Sequence, residues 1–220
     1  LEYYCITIYK NIRKMKIISF RGGLGNQVFQ YLFYLYIKDK YKKEKIYGYY
    51  NHANSHNGLE INNWFCVSLP KQKWFVRVLR QVIYLPQHLH VKKTVIDDDH
   101  YNHNGILYEG WWQNRDVFMP YIKELNYVKE LNLSEKNRNL AHEIEKTESV
   151  AIHIRRGDYL LPQFAPRYAN ICTVDYYQKA IDLIKTKISN CKFFIFSDDT
   201  NWVKDNLKLN DAIYVDWNRG

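Results

Sequence analysis

The sequence predicts an α/β fold organised as two units, each built on a parallel β-sheet. In the first unit a strand-like segment, Lys16–Phe20, leads into a glycine turn and then into an apolar helix, which is how α/β units begin. After Ser149 three apolar strand segments alternate with two helical ones, and this alternation is typical of a parallel sheet covered on both faces. The boundary between the units is placed near Leu140–Ser149.

The predicted domain organisation has three parts. Residues 1–14 precede the first methionine, Met15, and are interpreted as a non-native or disordered leader. Residues 15–145 form the first α/β domain, and residues 146–220 begin the second. Because the chain stops just after a strand-like segment, we expect the second domain to be truncated and the sequence to be a fragment.

Composition limits the class of protein. The 220 residues are 46% hydrophobic and 25% charged, which is typical of a globular chain and not of a disordered or collagen-like one. No apolar run approaches the roughly 20 residues that cross a bilayer. The four cysteines are scattered, which favours free thiols in a reducing compartment over a zinc site. We expect a cytoplasmic protein, with a weak peripheral contact at the inner face of the cell membrane left open.

The charge balance favours anionic partners. The formal net charge is +9, from 32 Lys and Arg against 23 Asp and Glu, and it suits phosphate-bearing small molecules, polyanions or anionic lipid. A nucleic-acid-binding protein would also explain this charge. However, the sequence contains no recognised reader motif and no concentrated basic stripe, so we expect no nucleic-acid partner.

The elements of the first unit are read from the spacing of apolar residues. Gln27–Lys38 carries apolar side chains on two helical faces, which predicts a buried helix. Residues 47–103 are rich in Asn, His and Tyr, and among them only Trp74–Ile83 shows a clear helical period. Ile106–Trp112 has the composition of a strand, and Glu135–Lys146 that of a surface helix.

The elements of the second unit are more clearly marked. The predicted strands are Val150–Arg155, Lys192–Phe196 and Ile213–Val215. Thr173 is placed to cap a helix that runs to about Lys187, and Thr200 to cap a short helix. Ligands of open parallel sheets bind outside the carboxyl ends of the strands, so the residues that follow these strands are the first candidates for a site.

The strongest candidate is the run HIRRGD, residues 153–158, at the end of the first strand of the second unit. Arginine cannot lose its charge, and the adjacent guanidinium groups of Arg155 and Arg156 are costly unless an anion meets them. A pyrophosphate fits, because guanidinium binds phosphate oxygens bidentately. The alternative is a structural arginine pair held by Asp158 and by backbone carbonyls.

Two weaker signals follow other strands. The turn GGLGNQ, residues 22–27, precedes a helix and would let a ligand approach the backbone, but its spacing matches neither the dinucleotide fingerprint nor the P-loop. On its own such a turn is more often structural. Ser197 and Asp198 follow the predicted strand Lys192–Phe196. The Asp198 carboxylate can accept from the N1–H and the exocyclic amine of a guanine, or from ribose hydroxyls. Its alternative role is to cap the helix beside Thr200.

Two further patterns have competing interpretations. Asp97 and Asp99 satisfy the Asp-x-Asp pattern that holds divalent cations in some sugar-nucleotide enzymes, although three successive acids are more often a solvated turn. Trp111 and Trp112 suggest a sugar-stacking platform, although adjacent tryptophans commonly divide between core and surface.

Four motifs, taken in order, resemble those of the α-1,2-fucosyltransferases of glycosyltransferase family 11. They are RGGLGNQVFQYLFY, GWWQ, VAIHIRRGDY, and FSDD followed by Trp202. The family signature His-x-Arg-Arg-x-Asp is matched position for position by His153, Arg155, Arg156 and Asp158. The resemblance covers residues 15–220 and implies a GT-B-like architecture with two Rossmann-like domains on parallel sheets. By this resemblance the first domain is on the acceptor side, and the second, which is truncated here, binds the GDP-sugar.

The resemblance also implies a function. Members of the family use GDP-fucose as a co-substrate, need no metal or other cofactor, and invert the anomeric carbon. We therefore expect a galactoside 2-α-L-fucosyltransferase of cell-surface glycan biosynthesis, which transfers L-fucose to the 2-hydroxyl of a terminal β-galactoside. The expected partners are GDP-fucose and a β-galactoside acceptor glycan. The alternatives are a metal-dependent nucleotide-sugar transferase that uses Asp97 and Asp99, and a non-catalytic carbohydrate-binding module.

The predicted site residues fall into three groups. The catalytic pair is Arg155, which by resemblance meets the β-phosphate, and Asp158, the nearest acidic candidate for a general base. The donor-binding residues, with Asp198 reading guanine, are His153, Arg155, Arg156, Ser197 and Asp198. The residues expected near the fucose or the acceptor are Gly23, Asn26, Gln27 and Trp112. No metal ligand is expected.

Overall fold

The computed structural model describes residues 14–50, 58–84, 95–126, 132–169, 171–207, 209 and 211–218. The chain separates into two compact units, Leu1–Leu131 and Asn132–Gly220. Of the predicted leader, only Lys14 lies within the described residues.

The first unit is a four-stranded parallel sheet with helices on both faces. In chain order its described elements are β1 (Met15–Phe20), α1 (Leu24–Lys40), β2 (Lys45–Tyr50), α2 (Ile61–Trp64), α3 (Trp74–Tyr84), β3 (Val95–Ile96), β4 (Leu107–Tyr108) and α4 (Arg115–Phe118), with 3₁₀ turns at Asp98–His100 and Met119–Glu124. The strand order is β2-β1-β4-β3, and each neighbouring pair is parallel.

Side chains of β1 reach both faces of this sheet, because successive residues of a strand point to opposite sides. Ile18 belongs to a buried cluster with Phe33 of α1, and Ile17 to a second cluster with Val76 of α3. All four side chains are fully buried. Cover on both faces explains why β1 is a continuous apolar run in the sequence.

The carboxyl ends of β1 and β4 lie side by side, since Ile17 is paired with Leu107 and Ile18 with Tyr108 in parallel register. The glycine turn that follows β1 and the GWWQ segment that follows β4 are therefore at the same edge of the sheet. The strand predicted over residues 106–112 is shorter in the structure, because the backbone beyond it is hydrogen-bonded to a side chain instead of a neighbouring strand.

The second unit is a three-stranded parallel sheet in the order β5-β6-β7. Its described elements are α5 (Glu135–Glu145), β5 (Ser149–Ile154), α6 (Ala165–Tyr168), α7 (Val174–Lys187), β6 (Lys192–Ser197), α8 (Thr200–Asn206) and β7 (Ala212–Val215), with a 3₁₀ turn at Asp158–Leu160. Thr173 caps α7 as predicted, and its Oγ1 accepts from the backbone N–H of Tyr176 at 3.2 Å. The cap of α8 is Asp199 and not Thr200.

Helix α5 packs with the second unit, although the sequence placed most of it before the boundary. Lys192 Nζ of β6 donates to Glu143 Oε1 at 2.6 Å, and Trp217 Nε1 donates to Asn137 Oδ1 at 2.7 Å. These contacts attach the helix to β6 and to the segment after β7. The division between the units accordingly falls before the helix.

Helices α7 and α8 lie on one face of the second sheet, because both right-handed crossovers run in the same direction across β5-β6-β7. Ile195 of β6 packs there with Ile181 of α7 and Val203 of α8. The sequence predicted helical cover on both faces of this sheet. On the face opposite α7 and α8, Phe194 is buried, but His153 near the end of β5 is exposed, so the cover of that face is only partial.

Candidate active site

Arg155 and Asp158 form a bidentate ion pair just beyond β5. Arg155 Nε donates to Asp158 Oδ1 at 3.0 Å, and Nη2 donates to Oδ2 at 2.6 Å. The guanidinium also lies 4.7 Å from the centre of the Tyr159 ring. The hydrogen bond with Asp158 raises the pKa of Arg155 above its ordinary value. Because the Arg155 side chain is still 41% exposed, part of this fixed positive charge is open to an anion.

Arg156 has different partners. Its Nε donates to Asp199 Oδ2 at 3.1 Å, and its guanidinium stacks on Trp202, with Cζ 3.7 Å from the ring centre. The Asp199 carboxylate also caps α8 by accepting from the backbone N–H of Trp202. Arg156 therefore joins the end of β5 to the start of α8, and Trp202, which follows the FSDD motif, stacks against it.

Asp198 holds the turn that carries the arginines. Its Oδ1 accepts from the backbone N–H of Arg156 at 2.8 Å, and its Oδ2 accepts from that of Gly157 at 3.1 Å. A Cβ on Gly157 would lie 2.9 Å from Asp198 Oδ2, so a larger residue there would make this carboxylate shift. The predicted contact of Asp198 with guanine stays a prediction, and the structure adds this second role.

The parallel pairing of β5 with β6 brings these groups together. Residues 155–158 and 197–199 leave the sheet side by side, at the edge where open α/β sheets bind ligands. The Ser197 Oγ accepts from the backbone N–H two residues further on at 3.0 Å, which shapes the second turn. His153, the last residue but one of β5, has an exposed side chain.

The glycine turn of the first unit allows several side chains to approach each other. Gly22 has a φ of 78°, and a Cβ there would lie 2.8 Å from Asn26 Nδ2 and 2.9 Å from the Trp111 ring. Gly23 takes the N-cap position of α1. Asn26 Oδ1 accepts from Gln113 Nε2 at 3.0 Å, so the turn after β1 touches the GWWQ segment.

Gln27 is a buried clamp. Its Oε1 accepts from the backbone N–H groups of Glu60 and Ile61, and its Nε2 donates to the carbonyls of Gly22 and Gly58. Only 1% of this residue is exposed. Gln27 therefore links the glycine turn to residues 58–61. Its predicted place near the fucose or the acceptor stays a prediction.

Arg21 is a candidate that the sequence analysis missed. It is the first residue after β1, and its guanidinium lies 4.8 Å from the centre of the Trp111 ring. Gln30 accepts from its backbone N–H at 2.9 Å and donates to its carbonyl at 3.2 Å. The argument that selected Arg155, an arginine at the carboxyl end of a parallel strand, applies equally to Arg21.

The two tryptophans of the GWWQ segment have opposite environments. Trp112 is 1% exposed and stacks on Phe33, with ring centres 3.7 Å apart, whereas Trp111 is 40% exposed. The Trp112 ring is thus part of the core, and the predicted place of this residue near the fucose or the acceptor stays a prediction. Trp112 also has a φ of 56°, an uncommon conformation for a residue with a side chain. The exposed indole at this edge belongs to Trp111.

The three successive acids do not act as a set. Asp98 accepts from the backbone N–H groups of Trp111 and Trp112, and Asp97 Oδ1 lies 2.6 Å from His100 Nδ1. The hydrogen bond with His100 lowers the pKa of Asp97. Among the residues that the structure describes, no group of three or more His, Cys, Asp or Glu side chains is arranged to hold a metal ion.

A cavity of about 520 Å³ opens beside the GWWQ segment. Its walls include Asp99, Trp111, Gln113 and Arg115. An indole ring combined with amide, carboxylate and guanidinium groups suits a ligand that has both apolar faces and hydroxyl groups, as sugars do.

Comparisons with known proteins show which family the chain belongs to. The sequence model of glycosyl transferase family 11 matches residues 87–216. The chain is 31% identical over 199 residues to the Escherichia coli alpha-1,2-colitosyltransferase, covering 83% of this chain and 68% of that protein. It is 25% identical over 234 residues to the Escherichia coli O-antigen biosynthesis glycosyltransferase WbnK, covering 88% of this chain and 76% of that protein.

A solved structure supports the fold. The crystal structure of the α-1,6-fucosyltransferase NodZ, soaked with GDP-fucose, has a TM-score of 0.52 and 12% sequence identity, covering 91% of this chain and 77% of that one. The α/β, GT-B-like fold predicted from the sequence is confirmed, and the protein is a glycosyltransferase. The chain belongs to glycosyl transferase family 11, as its motifs indicated.

No helix in the described part of the chain is both long enough and apolar enough to cross a membrane.

Proposed function

We propose that this glycosyltransferase transfers L-fucose from GDP-fucose to the 2-hydroxyl of a terminal β-galactoside, with inversion at the anomeric carbon and without a metal ion. The observation that carries the proposal is the arginine turn beyond β5. There Arg155 is fixed by Asp158, and Arg156 by Asp199 and Trp202, at the ligand-binding edge of a parallel sheet.

The fixed arginine suits the leaving group. As the bond between fucose C1 and the phosphate oxygen breaks, negative charge grows on the β-phosphate and positive charge on the sugar ring. A guanidinium already held in place stabilises that charge more in the transition state than in the ground state, which accelerates the reaction. The half-exposed Arg155 is proposed to meet the β-phosphate, with His153 and Arg156 also on the donor side.

Asp158 is proposed to position Arg155. Both of its oxygens accept from this one guanidinium, at 3.0 and 2.6 Å, and the pairing fixes the direction of the arginine fork. The sequence offered two roles for Asp158, as a general base or as a residue that holds the arginines. This contact favours the second role.

The acceptor side is proposed to lie in the first unit. Asn26 and Gln113 are linked through their amides, and Trp111 presents an exposed ring beside the cavity. Amide groups can bind the hydroxyls of a galactoside, and an indole can cover the apolar face of a sugar ring.

A second donor is favoured by a specific observation. The relative of 31% identity is an alpha-1,2-colitosyltransferase, which shares the proposed α-1,2 linkage but transfers a different sugar. Colitose lacks the 3-hydroxyl of fucose. Transfer of colitose by this chain is therefore the competing proposal, and it leaves the roles of Arg155 and Arg156 unchanged.

The test is a panel of sugar nucleotides, with lactose as the acceptor and with GDP release and glycoside formation both measured. The expected result is fucosyl-lactose with an α-1,2 linkage from GDP-fucose, and less product from GDP-mannose or UDP-galactose. Faster transfer from GDP-colitose than from GDP-fucose would show that colitose, and not fucose, is the sugar that this enzyme transfers. Release of GDP without any glycoside would show that the galactoside is the wrong acceptor class, and absence of both products from every donor would refute the proposal.

A further inference from the structure

Helix α3 presents an apolar stripe to solvent. Trp74, Val78 and Val82 recur every fourth residue, and they are 80%, 51% and 47% exposed. An outward face of a helix that packs on a sheet ordinarily carries polar side chains. Large apolar side chains on this face therefore call for a partner.

The stripe cannot turn inward, because the opposite side of the helix is fixed. Val76 and Ile83 are buried against the sheet, in a cluster with Ile17 of β1. Arg80 Nε donates to Glu109 Oε1 at 2.8 Å, which attaches the helix to the end of β4. The helix that carries the exposed side chains is thus fixed on the sheet, and its backbone needs little ordering when the stripe binds a surface.

The charged side chains on helix α3 and just before it are all basic. Lys71 and Lys73 precede the helix and Arg77 lies on it, and all three side chains are exposed. No acidic residue occurs between Lys71 and Tyr84. A basic margin beside a Trp-containing apolar stripe is the pattern of helices that lie in the interface of an anionic membrane.

Helix α7 of the second unit makes the contrast. It also exposes an apolar side chain, since Leu183 is 56% exposed. However, Asp175 and Asp182 lie on the same helix, and their carboxylates interact with Lys179 and Gln178. Helix α7 carries both acidic and basic side chains, as an ordinary solvated helix does. The exposed face of α3 combines apolar side chains with charged ones that are all basic.

We propose that this face of α3, defined by Lys71, Lys73, Trp74, Arg77, Val78 and Val82, docks on the surface of an anionic phospholipid bilayer. The sequence alone left a peripheral membrane contact open, because the period of α3 does not reveal which of its apolar residues the sheet covers. The docking face shares no residue with the arginine turn or with the GWWQ segment, and the proposal does not depend on the proposed donor or acceptor.

The test is co-sedimentation of the 220-residue chain with vesicles. Vesicles of phosphatidylethanolamine with phosphatidylglycerol are compared with vesicles of phosphatidylcholine alone. The expected result is binding to the first kind only, weakened by added salt. Trp74→Ser should weaken binding roughly tenfold through the loss of apolar burial. Arg77→Glu should weaken it by about fivefold or more.

Matched controls separate docking from general effects. Leu183→Ser and Lys187→Glu remove an exposed apolar group and reverse an exposed charge on α7, and vesicle binding should be unchanged in both. Circular dichroism and the unfolding midpoint of Trp74→Ser should match those of the parent chain. Glycosyl transfer to a soluble acceptor should also be unchanged in this variant, so loss of docking and loss of the proposed function can be told apart.

Three outcomes would overturn the proposal. Equal binding to neutral and anionic vesicles would show that the basic side chains beside the stripe do not contribute to docking. Absence of binding to either kind of vesicle would exclude a membrane as the partner of this face. A dimer that Trp74→Ser dissociates, in a chain that does not bind vesicles, would assign the face to a second copy of the chain.

Discussion

Arg155 and Arg156 are adjacent in the sequence, but their guanidinium groups have separate partners. Asp158 holds the first, while Asp199 and Trp202 hold the second. Arg155 is the more exposed of the two, at 41% against 23% for Arg156. This difference suggests a division of work in which Arg155 meets the donor phosphate and Arg156 mainly braces the turn.

Arg155→Lys should therefore lose activity, because an ammonium cannot make the planar, bidentate contacts of a guanidinium. The expected loss is about 10²–10³ in turnover, measured as transfer from GDP-fucose to lactose. Arg167→Lys, an exposed arginine of the same unit, is the matched control and should be near the parent rate. Near-parent transfer by Arg155→Ala would contradict the phosphate assignment.

Asp198→Ala tests which of two roles the carboxylate has. If Asp198 reads guanine, the variant should bind GDP about tenfold more weakly and lose part of its preference for GDP over ADP and UDP, because only guanine offers two adjacent donors. The binding of all three nucleotides is compared by calorimetry. An equal loss of affinity for the three would leave Asp198 only its observed role, in which it accepts from the backbone of Arg156 and Gly157.

At the scale of elements, each loop that carries the site is held by a polar side chain that accepts from or donates to its backbone. Gln27 holds the turn after β1, Asp98 the segment after β4 and Asp198 the turn after β5. Loops cannot satisfy their backbone groups through a regular ladder, so side chains must do so. Strand ends thus place the functional residues, and these clamps fix their directions.

Gln27→Leu should lower the free energy of unfolding by about 2–4 kcal/mol, since it leaves buried backbone donors and acceptors of the glycine turn and of residues 58–61 unpaired. The measurement is the urea dependence of tryptophan fluorescence. Gln178→Leu removes an exposed amide that donates to Asp182 and should change stability by less than about 0.5 kcal/mol. Equal stability of the two variants would show that the clamp contributes nothing.

At the scale of the whole molecule, the expectation that no metal is needed is still a prediction. Treatment with EDTA should leave the transfer rate unchanged, and Asp97→Ala should be nearly silent. Asp98→Ala should lower activity, because the backbone N–H groups of Trp111 and Trp112 lose their acceptor. Loss of activity in EDTA, with recovery on adding manganese, would favour the metal-dependent alternative through Asp97 and Asp99.

The elements with strong patterns were predictable, and the weakly patterned ones were not. Helix α7 and strands β1, β5, β6 and β7 follow from apolar runs and helical periods, and each lies within two residues of its predicted position. Strand β2 was missed, because its sequence KIYGYY has a central glycine and amphipathic tyrosines that give no clear alternation. It is a strand because it pairs with β1 along its whole length.

By itself the sequence determined the α/β class, the family and the placing of HIRRGD and FSDD at strand ends, because periodicity and the order of motifs are local properties of the chain. Only the tertiary structure decided which carboxylate pairs with which arginine, and that Trp112 is buried while Trp111 is exposed. Those outcomes depend on strand register and on distances through space between residues far apart in the chain. Spacing along the sequence does not encode such distances, since the same turn can direct a side chain to several partners until the neighbouring strand is in place.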